Sequence, residues 1–577
     1  MSEEQVPSDE ERSKSGAALA VQPQGGFSAL IARASLMLYQ LSWRTPLHGR
    51  RISGKLPVKL LAAPTDPLKG NEARGKAIRM DRFHFLGMDF DIAKGDFADP
   101  PLPPAFLDYI HRFDWLRDLA AVANRAEGAP IAARIADFWL TAHADKPRQP
   151  AWNIASSAWR FLNMTAWSPY LLSSDDLIYR SKILNHLART ARHLDHSAVR
   201  ATQPFDKVAG WIGVCAASLL LPEGKARRAM GEHGLAAALP ELVYPDGGVI
   251  TRAPLQLIEL IGMLSMLRAA YAACKEAEPA CIEETLRRNV PALLGLSHSD
   301  GGIGAWQGAG HTSAATVDAL VEASGIRSRP SRQALDWGYQ RVAAGPAVLQ
   351  VDAGPPPHAK QALTGCASTL AFEFSFAKAR IIVNCGGAAL VGAHIPAALA
   401  RGLRTTAAHS TLCLDDSNST ALLANGQLGR GVVSVGLTRR DIENATRIET
   451  SHDGYARAYG FVHSRLLILR SDGLELRGED TLLPHATYKV RDDVPAHLRF
   501  HLGPDIELVL SDDRKSVLMR LDDGSSWRFA ATSGTIGIED SLWVDGNGRP
   551  NPTRQLVIEA RTAKGGLSLG WLLKFIG

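Results

Sequence analysis

The sequence predicts two domains of different class, an incomplete (α/α) toroid followed by an antiparallel β-sandwich. The first half of the chain contains successive helices rich in Ala and Leu, and the second half contains short β-rich segments between Gly, Asp and Ser turns. At 577 residues the chain is also too long for one hydrophobic core. We therefore expect an N-terminal segment over 1–99, a toroid domain over 100–345 and a β-sandwich domain over 346–577.

The toroid is predicted from apolar residues that recur at helical spacing after about residue 100. The breaks between these helices hold Pro, Gly and Asp, as in Pro222-Glu-Gly224 and Pro245-Asp-Gly-Gly248. Serial antiparallel helix pairs form either a solenoid or a closed toroid. Because no strict period recurs along this stretch, the sequence favours a toroid over a repeat array.

The β-sandwich is predicted from many short strands with turn signals between them. Phe461–Leu469 and Leu474–Glu479, for example, flank the turn Ser471-Asp-Gly473. The texture of the sequence changes near Gly345-Pro346, where we place the domain boundary. Before residue 100 we expect a partly disordered start and an amphipathic helix over Phe27–Trp43, whose apolar run is interrupted by Arg33.

Composition and charge exclude several classes of protein. The chain has 64 basic and 59 acidic residues and a net charge of +5. This small excess does not indicate a nucleic-acid-binding surface, although it is compatible with an anionic substrate. The six cysteines form no CxxC pair and are interpreted as buried thiols. The N-terminus has neither the pattern of a secretory signal nor a membrane span, so export is not supported by it. Oligomeric state is not predicted.

Several local sequences occur in a particular order. In the toroid half these are Pro245-Asp-Gly-Gly248, Arg252-Ala-Pro254 and His298-Ser-Asp-Gly-Gly302. In the sandwich half they are Asn384-Cys-Gly386, Arg404-Thr-Thr-Ala-Ala-His409-Ser-Thr-Leu412, Ser451-His-Asp-Gly-Tyr455, His463-Ser-Arg465 and Leu476-Arg-Gly-Glu-Asp480. This ordered set resembles the heparinase II/III family of polysaccharide lyases from about residue 80 to the end of the chain.

The resemblance implies a lyase acting on an acidic, uronate-containing polysaccharide. Such a lyase removes the C5 proton of the sugar and expels the 4-O-linked sugar, so it needs a base, an acid and a group that neutralises the carboxylate. The candidate catalytic residues are His409, Arg252, His452 and Tyr455; an Arg can clamp a carboxylate in bidentate fashion. Candidate substrate-binding residues are Gln256, Lys207 and Trp306.

The resemblance also has implications for metal binding and for the location of the protein in the cell. No cofactor is identified from the sequence, but some family members carry a structural metal in the β-sandwich, bound by two histidines and a carboxylate. Such ligands suit zinc, and here the candidates are His409 and His463 with Asp415 or Asp416. Relatives are usually exported, so the periplasm or cell envelope is one expected location, and the cytoplasm is the other because no signal is recognised.

The chain departs from the family pattern at two positions. Active members have an Asn or His pair in a toroid helix, whereas alignment on Lys207 places Arg200-Ala201 there. Active members have a tyrosine shortly after the Arg-Ser-Pro-like motif, whereas Gln256 stands here and cannot donate a proton as an acid. Three hypotheses therefore stay open: a polysaccharide lyase, a catalytically altered glycan-binding or cell-envelope scaffold, and a hydrolase with paired carboxylates on the toroid.

Overall fold

A computed structural model describes residues 17–20, 27–43, 52, 59–145, 147–222, 224–358, 363–392 and 394–577. A helical toroid is followed by an antiparallel β-sandwich, so the predicted fold class is confirmed. The start that was predicted to be partly disordered lies largely outside the described residues. The helix expected over Phe27–Trp43 spans Phe27–Ser42.

The helices are numbered along the chain. They are α1 (Phe27–Ser42), α2 (Glu72–Arg79), α3 (Pro104–His111), α4 (Trp115–Ala120), α5 (Arg125–His143), α6 (Ile154–Ala166), α7 (Ser168–Leu171), α8 (Leu177–Ser197), α9 (Pro204–Leu220), α10 (Lys225–Leu242), α11 (Pro254–Ala273), α12 (Ala280–Leu294), α13 (Ala314–Ser324), α14 (Ala397–Gly402) and α15 (Ala456–Tyr459).

Two buried helices of the toroid, α6 and α9, approach each other closely. Every residue of α6 is buried, and α9 is buried from Val208 onward. On α9, a Cβ at Gly213 would lie 3.2 Å from that of Ala158 on α6, so the two helices cross where both side chains are small. The helix α11 is long and apolar enough to span a membrane, but 61% of its most apolar window is buried in the fold, as expected for a core helix.

The strands are also numbered along the chain. They are β1 (Ala17–Ala20), β2 (Arg82–Phe85), β3 (Met88–Asp91), β4 (Gln333–Ala334), β5 (Tyr339–Ala344), β6 (Ala347–Asp352), β7 (Phe372–Phe376), β8 (Ala379–Val383), β9 (Leu412–Leu414), β10 (Thr420–Leu422), β11 (Leu428–Gly431), β12 (Ser434–Ile442), β13 (Ala445–His452), β14 (Phe461–Arg470), β15 (Glu475–Pro484), β16 (Pro495–Leu502), β17 (Glu507–Leu510), β18 (Ser516–Arg520), β19 (Ser526–Ala531), β20 (Thr535–Val544), β21 (Pro550–Arg561) and β22 (Leu567–Phe575).

Two large sheets form the sandwich. The outer sheet has the order β1-β12-β13-β14-β15-β22-β19-β18-β17, and the inner sheet has the order β20-β21-β16-β8-β7-β6-β5-β4 with β9 paired to β16. Along β14 the residues alternate between buried and partly exposed, which is the pattern of a sheet with one face on the core. The hairpins β2–β3 and β10–β11 stand apart from these sheets.

The inner sheet begins earlier than the boundary placed at Gly345-Pro346. These two residues form the turn of the β5–β6 hairpin, in which Ala344 pairs with Ala347 and Gly345 has a φ of 53°. Gly-Pro in the sequence is compatible with a linker or a tight turn, and here it is a turn. The toroid core also includes Trp337 and Tyr339 at the start of this sheet, so the hydrophobic contacts do not stop at the boundary.

Candidate functional site

Arg252 lies at the contact between the toroid and the inner sheet. Its Nη2 donates to Asp352 Oδ1 at 2.6 Å, and its Nε donates to the Trp337 carbonyl at 2.8 Å. Its Nη1 donates to the carbonyls of Gly354 and Pro355, and the side chain is 4% exposed. Burial acts to lower the pKa of Arg252, but Asp352 outweighs it and the pKa is raised. The guanidinium therefore fastens the two domains and is turned away from solvent.

His409 follows the short turn Thr406–Ala408 and lies just before β9. Its Nδ1 donates to the Thr405 carbonyl at 2.7 Å, so the neutral ring has its lone pair on Nε2. Burial lowers the pKa of His409, and the opposing effects of the Thr405 carbonyl, Asp352 and Glu373 do not cancel that shift. The residue is 1% exposed. Its ring is thus held in one tautomer as a neutral imidazole.

The two sandwich motifs around Asn384 and His409 meet in space. The Ser410 amide donates to Asn384 Oδ1 at 2.9 Å, and Ser410 Oγ donates to the Val383 carbonyl at 2.7 Å. Asn384 Nδ2 donates to Glu373 Oε1 at 2.9 Å. The motif resemblance noted in the sequence thus corresponds to one hydrogen-bonded unit that holds the His409 segment against β8.

His452 and His463 form a buried chain with Asp480. The Gly454 amide donates to His452 Nδ1 at 3.0 Å, which leaves the proton of a neutral His452 on Nε2, 3.4 Å from His463 Nδ1. His463 Nε2 donates to Asp480 Oδ1 at 2.8 Å. Burial lowers the pKa of both histidines. Arg465 also donates to Asp480 Oδ1, at 2.7 Å, so these predicted residues belong to an internal network of the outer sheet.

Tyr455 is buried beneath the outer sheet. Its hydroxyl donates to the Leu412 carbonyl at 2.9 Å, and the residue is 1% exposed. Burial raises the pKa of the Tyr455 phenol well above its ordinary value. The hydroxyl proton is therefore held by the protein backbone at β9.

The three candidate substrate-binding residues lie in different environments. Lys207 Nζ pairs with Glu241 at 2.7 and 2.9 Å, and Gln256 Oε1 accepts from Thr251 Oγ1 at 2.7 Å. Trp306 is fully buried, and its Nε1 donates to Gln350 Oε1 at 2.9 Å. These roles remain predictions, and each of the three side chains has a protein partner.

The residues proposed for zinc do not fit a metal site. Within the part of the chain that is described, no group of three or more His, Cys, Asp or Glu side chains is placed to hold a metal ion. Both ring nitrogens of His463 are engaged by His452 and Asp480, and Asp416 lies 3.8 Å from Arg499 and His497.

The sequence did not single out Asp352 and Glu373, two carboxylates that join the two domains, although Asp300 lies within the His298–Gly302 motif. Glu373 on β7 accepts from His298 Nε2 at 2.7 Å and from the Ala305 amide at 3.1 Å. Asp300 pairs with Arg380 Nε at 2.9 Å. The available signal was a carboxylate inside an apolar strand, as in Phe372-Glu-Phe374 and Val351-Asp352, because a buried charge needs a partner.

A cavity of about 390 Å³ on the toroid is rich in acidic side chains. Its lining includes Asp108, Asp206 and Glu259, with Arg112 between them. Arg112 Nη1 lies 2.9 Å from Glu259, and Arg112 Nη2 lies 3.3 Å from Asp108. Burial and the nearby charge of Glu259 raise the pKa of Asp206 to about 6. These carboxylates make the cavity unfavourable for a uronate ligand.

Comparisons with known proteins agree on the fold. Residues 326–572 match the family model "Heparinase II/III-like, C-terminal". The solved structure of heparinase III superposes over 97% of this chain and 92% of its own, with a TM-score of 0.69 and 11% identity. Heparan sulfate lyase HepC from Pedobacter heparinus covers 94% of this chain and 88% of its own, with a TM-score of 0.58 and 16% identity. The chain is therefore polysaccharide lyase-like in fold.

The predicted resemblance to the heparinase II/III family is confirmed by the match of the C-terminal domain to that family's C-terminal model and by the likeness of the fold to heparinase III. A curated relative, FtsZ-localized protein C of Caulobacter vibrioides, is 27% identical over 560 residues, covering 91% of this chain and 92% of the relative. That similarity extends over both domains.

Proposed function

We propose that this protein is a catalytically altered member of the polysaccharide lyase fold that binds an acidic glycan and serves as a scaffold at the cell envelope. The observation that carries the proposal is the commitment of the expected catalytic groups to internal contacts. The guanidinium of Arg252 donates its hydrogen bonds to Asp352 and to backbone carbonyls, so it is not free to bind a substrate carboxylate. A lyase needs that charge at the sugar carboxylate to acidify the C5 proton.

The proton donor expected of a lyase is also missing from its predicted positions. Gln256 has no acidic proton to give, and the Tyr455 hydroxyl is held by the Leu412 carbonyl. Activation of Tyr455 would require removal of a buried hydrogen bond, which costs roughly 1–3 kcal/mol before any chemistry. These features favour binding over β-elimination.

The name of the curated relative supports a location shared with FtsZ. The name of that relative describes localisation with FtsZ, and its similarity to this chain covers both domains. We accordingly propose that this protein also localises with FtsZ. A fluorescent fusion at native expression level should form a band that coincides with FtsZ, and a uniformly distributed fusion would contradict the assignment.

The enzymatic part of the proposal is tested with a panel of acidic polysaccharides. The purified protein should produce no ultraviolet absorbance of an unsaturated uronate product from heparan sulfate, chondroitin sulfate or polygalacturonate. The same protein should retain at least one of these polymers in an affinity assay. Product formation would overturn the scaffold proposal, and the absence of any binding would overturn the glycan-binding part.

β-Elimination remains the second candidate, and it rests on His409. This imidazole is neutral with its lone pair on Nε2, which is the state required of a general base. If the panel yields unsaturated product, replacement of His409 by Ala should abolish it.

A further inference from the structure

A groove of about 1070 Å³ lies between the β10–β11 hairpin, α15 and the loop after β15. Its lining comes from four segments of the sandwich and includes Asn418, Arg430, Arg457, His485 and Tyr488. None of its lining residues belongs to the toroid. The groove is therefore separate from the inter-domain contact at Arg252.

The walls of the groove are joined by hydrogen bonds. Asp453 Oδ1 accepts from the Val433 and Ser434 amides at 2.8 and 3.2 Å, which ties the segment before α15 to the start of β12. The His485 amide donates to the Gly460 carbonyl at 2.8 Å, which ties the loop after β15 to the end of α15. A site held in this way loses little conformational entropy when a ligand binds.

The groove carries an excess of positive charge. Arg430 and Arg457 are both exposed, and neither forms an ion pair in the described part of the chain. The one acidic side chain in the lining, Asp453, is already engaged by two backbone amides. Two unpaired guanidinium groups in one groove favour carboxylate or sulfate ligands, which they can bind in bidentate fashion.

An aromatic surface lies beside these arginines. The rings of His485 and Tyr488 are 4.9 Å apart, and Tyr488 is 45% exposed. Tyr459 also lines the groove, with the Arg491 guanidinium 5.7 Å from its ring centroid. Exposed aromatic rings offer flat apolar faces that suit the C–H face of a sugar ring.

From this combination we infer that the groove is a binding site for an anionic glycan chain, with Arg430 and Arg457 contacting its acidic groups and Tyr488 packing against a sugar ring. The inference deepens the proposed glycan-binding function by naming the site, and it rests on that function. An acidic peptide would use the arginines equally well but would gain little from the aromatic surface. The aromatic surface therefore distinguishes the two ligand classes.

The test measures affinity of the full-length protein for chondroitin sulfate and polygalacturonate at physiological salt, with uncharged dextran as the neutral polymer. The double variant Arg430→Ala/Arg457→Ala should weaken binding of an anionic polymer by at least about tenfold, because two charge-assisted contacts are lost. Tyr488→Ala should weaken it several-fold, and Tyr488→Phe should restore binding because the ring is kept. Dextran should not bind.

The matched control is Arg520→Ala/Arg528→Ala. These arginines are exposed on β18 and β19, so the control removes the same net charge away from the groove. It should keep affinity within about twofold of the wild type, because screened distant charges contribute little. Melting temperatures of all variants should match that of the wild type, since every changed side chain is exposed.

The outcomes separate the site from the function. Failure of the wild type to bind any anionic polymer overturns the proposed function, and the groove assignment with it. Binding that is unchanged in Arg430→Ala/Arg457→Ala, or equally reduced in the control, overturns the groove alone. Displacement of the glycan by polyglutamate of equal charge at equal concentration, with Tyr488→Ala unaffected, identifies an acidic peptide site and overturns the glycan assignment.

Discussion

Arg252 and Asp352 form a buried ion pair whose partners come from different domains. The Asp352 carboxylate also accepts from Ser368 Oγ at 2.7 Å, so the charge is well solvated by the protein. The hydroxyl of the neighbouring Tyr339 donates to the Arg252 carbonyl at 3.0 Å. Replacement of one partner of such a pair is destabilising, because the other partner is then a buried charge without a counter-charge.

Replacement of Arg252 by Met should therefore destabilise the fold by roughly 3–5 kcal/mol, since Asp352 loses its counter-charge. The measurement is urea unfolding of the full chain followed by tryptophan fluorescence. Arg327→Met, at an exposed arginine near the domain boundary, is the control and should change stability by less than about 0.5 kcal/mol. If Arg252→Met were as stable as the wild type, the ion pair with Asp352 would not be needed for folding, and Arg252 would be available to bind a substrate carboxylate.

The sequence identified Arg252 but did not identify what it contacts. The motif Arg252-Ala-Pro254 marked the position, whereas Asp352 ends an apolar strand some 100 residues later. Which carboxylate neutralises a given arginine depends on how the domains pack, and that is a tertiary property. The same holds for His298 and Glu373, where the histidine motif was noticed and its partner was not.

His143 illustrates how burial sets the acid sensitivity of the toroid. Its Nε2 donates to the Phe97 carbonyl at 2.6 Å, and its ring lies 5.0 Å from that of His111. Burial lowers the pKa of His143 to about 4, and burial together with the charge of His143 lowers that of His111 to about 3. A histidine whose pKa is lower in the folded state stabilises the fold above its unfolded pKa of about 6.5, and this contribution is lost as pH falls through the folded value.

We therefore expect the free energy of unfolding to decrease as the pH falls from about 6.5 to about 4. In His143→Gln the decrease in the free energy of unfolding over this pH range should be smaller by roughly 3 kcal/mol. The reason is that the unfolded variant no longer gains a proton at residue 143. Denaturant unfolding at a series of pH values measures it. His233→Gln, at an exposed histidine, should follow the wild type, and an unchanged pH dependence of His143→Gln would contradict the assignment.

At the scale of elements, the helices α9 and α10 pack closely because a glycine faces a tryptophan. A Cβ built on Gly234 of α10 would lie 2.4 Å from the Trp211 ring of α9. Real Cβ atoms do not approach a ring so closely, so a side chain at this position must push the two helices apart or move the indole. Trp211 is 7% exposed and has little room to move.

Gly234→Ala should lower the melting temperature, because overpacking typically costs about 1–3 kcal/mol and outweighs the gain in helix propensity of at most about 1 kcal/mol. Differential scanning fluorimetry is sufficient to detect it. Gly402→Ala provides the comparison, since this residue ends helix α14 and has nothing within 4 Å of an added Cβ. If the two alanine variants have the same melting temperature, the close approach of Gly234 to Trp211 does not restrict the size of the side chain at residue 234.

Element types were more predictable from the sequence than element ends. Proline is favoured in the first turn of a helix, so Pro130 suggests a helix start at that residue, yet α5 begins at Arg125. The reason is the cap: Asn124 Oδ1 accepts from the amides of Ala126 and Glu127 at 2.9 and 3.2 Å, which starts the helix before the proline. Gly345-Pro346 likewise lies where the texture of the sequence changes, and in the structure it forms a hairpin turn inside the sheet.

At the scale of the whole molecule, sequence patterns gave the class of each half but not the connections between them. Nothing in a strand's composition states that β22 lies between β15 and β19, or that β1 pairs with β12 more than 400 residues later. The candidate groove was likewise not predictable from the sequence, because its lining comes from four separate segments that adjoin only in the folded chain. Long-range pairing of this kind is set by packing and turn geometry together.

Three side-chain pairs, together with apolar contacts at the start of the inner sheet, make the toroid and the sandwich depend on each other. Arg252–Asp352, His298–Glu373 and Asp300–Arg380 each join the two halves. The toroid core also contains Trp337 and Tyr339, which lie at the start of the inner sheet. Separation of the halves would expose these side chains and leave several buried charges unpaired.

We therefore expect the full chain to unfold in one calorimetric transition in which both domains melt together. Asp352→Ala/Glu373→Ala should lower the melting temperature and split the transition in two, because the variant loses two buried carboxylates through which the domains contact each other. Asp472→Ala/Asp540→Ala, which removes two carboxylates from the sandwich surface, should leave a single transition near the wild-type temperature. Two resolved transitions in the wild type would mean that each domain is stable by itself and that the inter-domain charges serve another purpose.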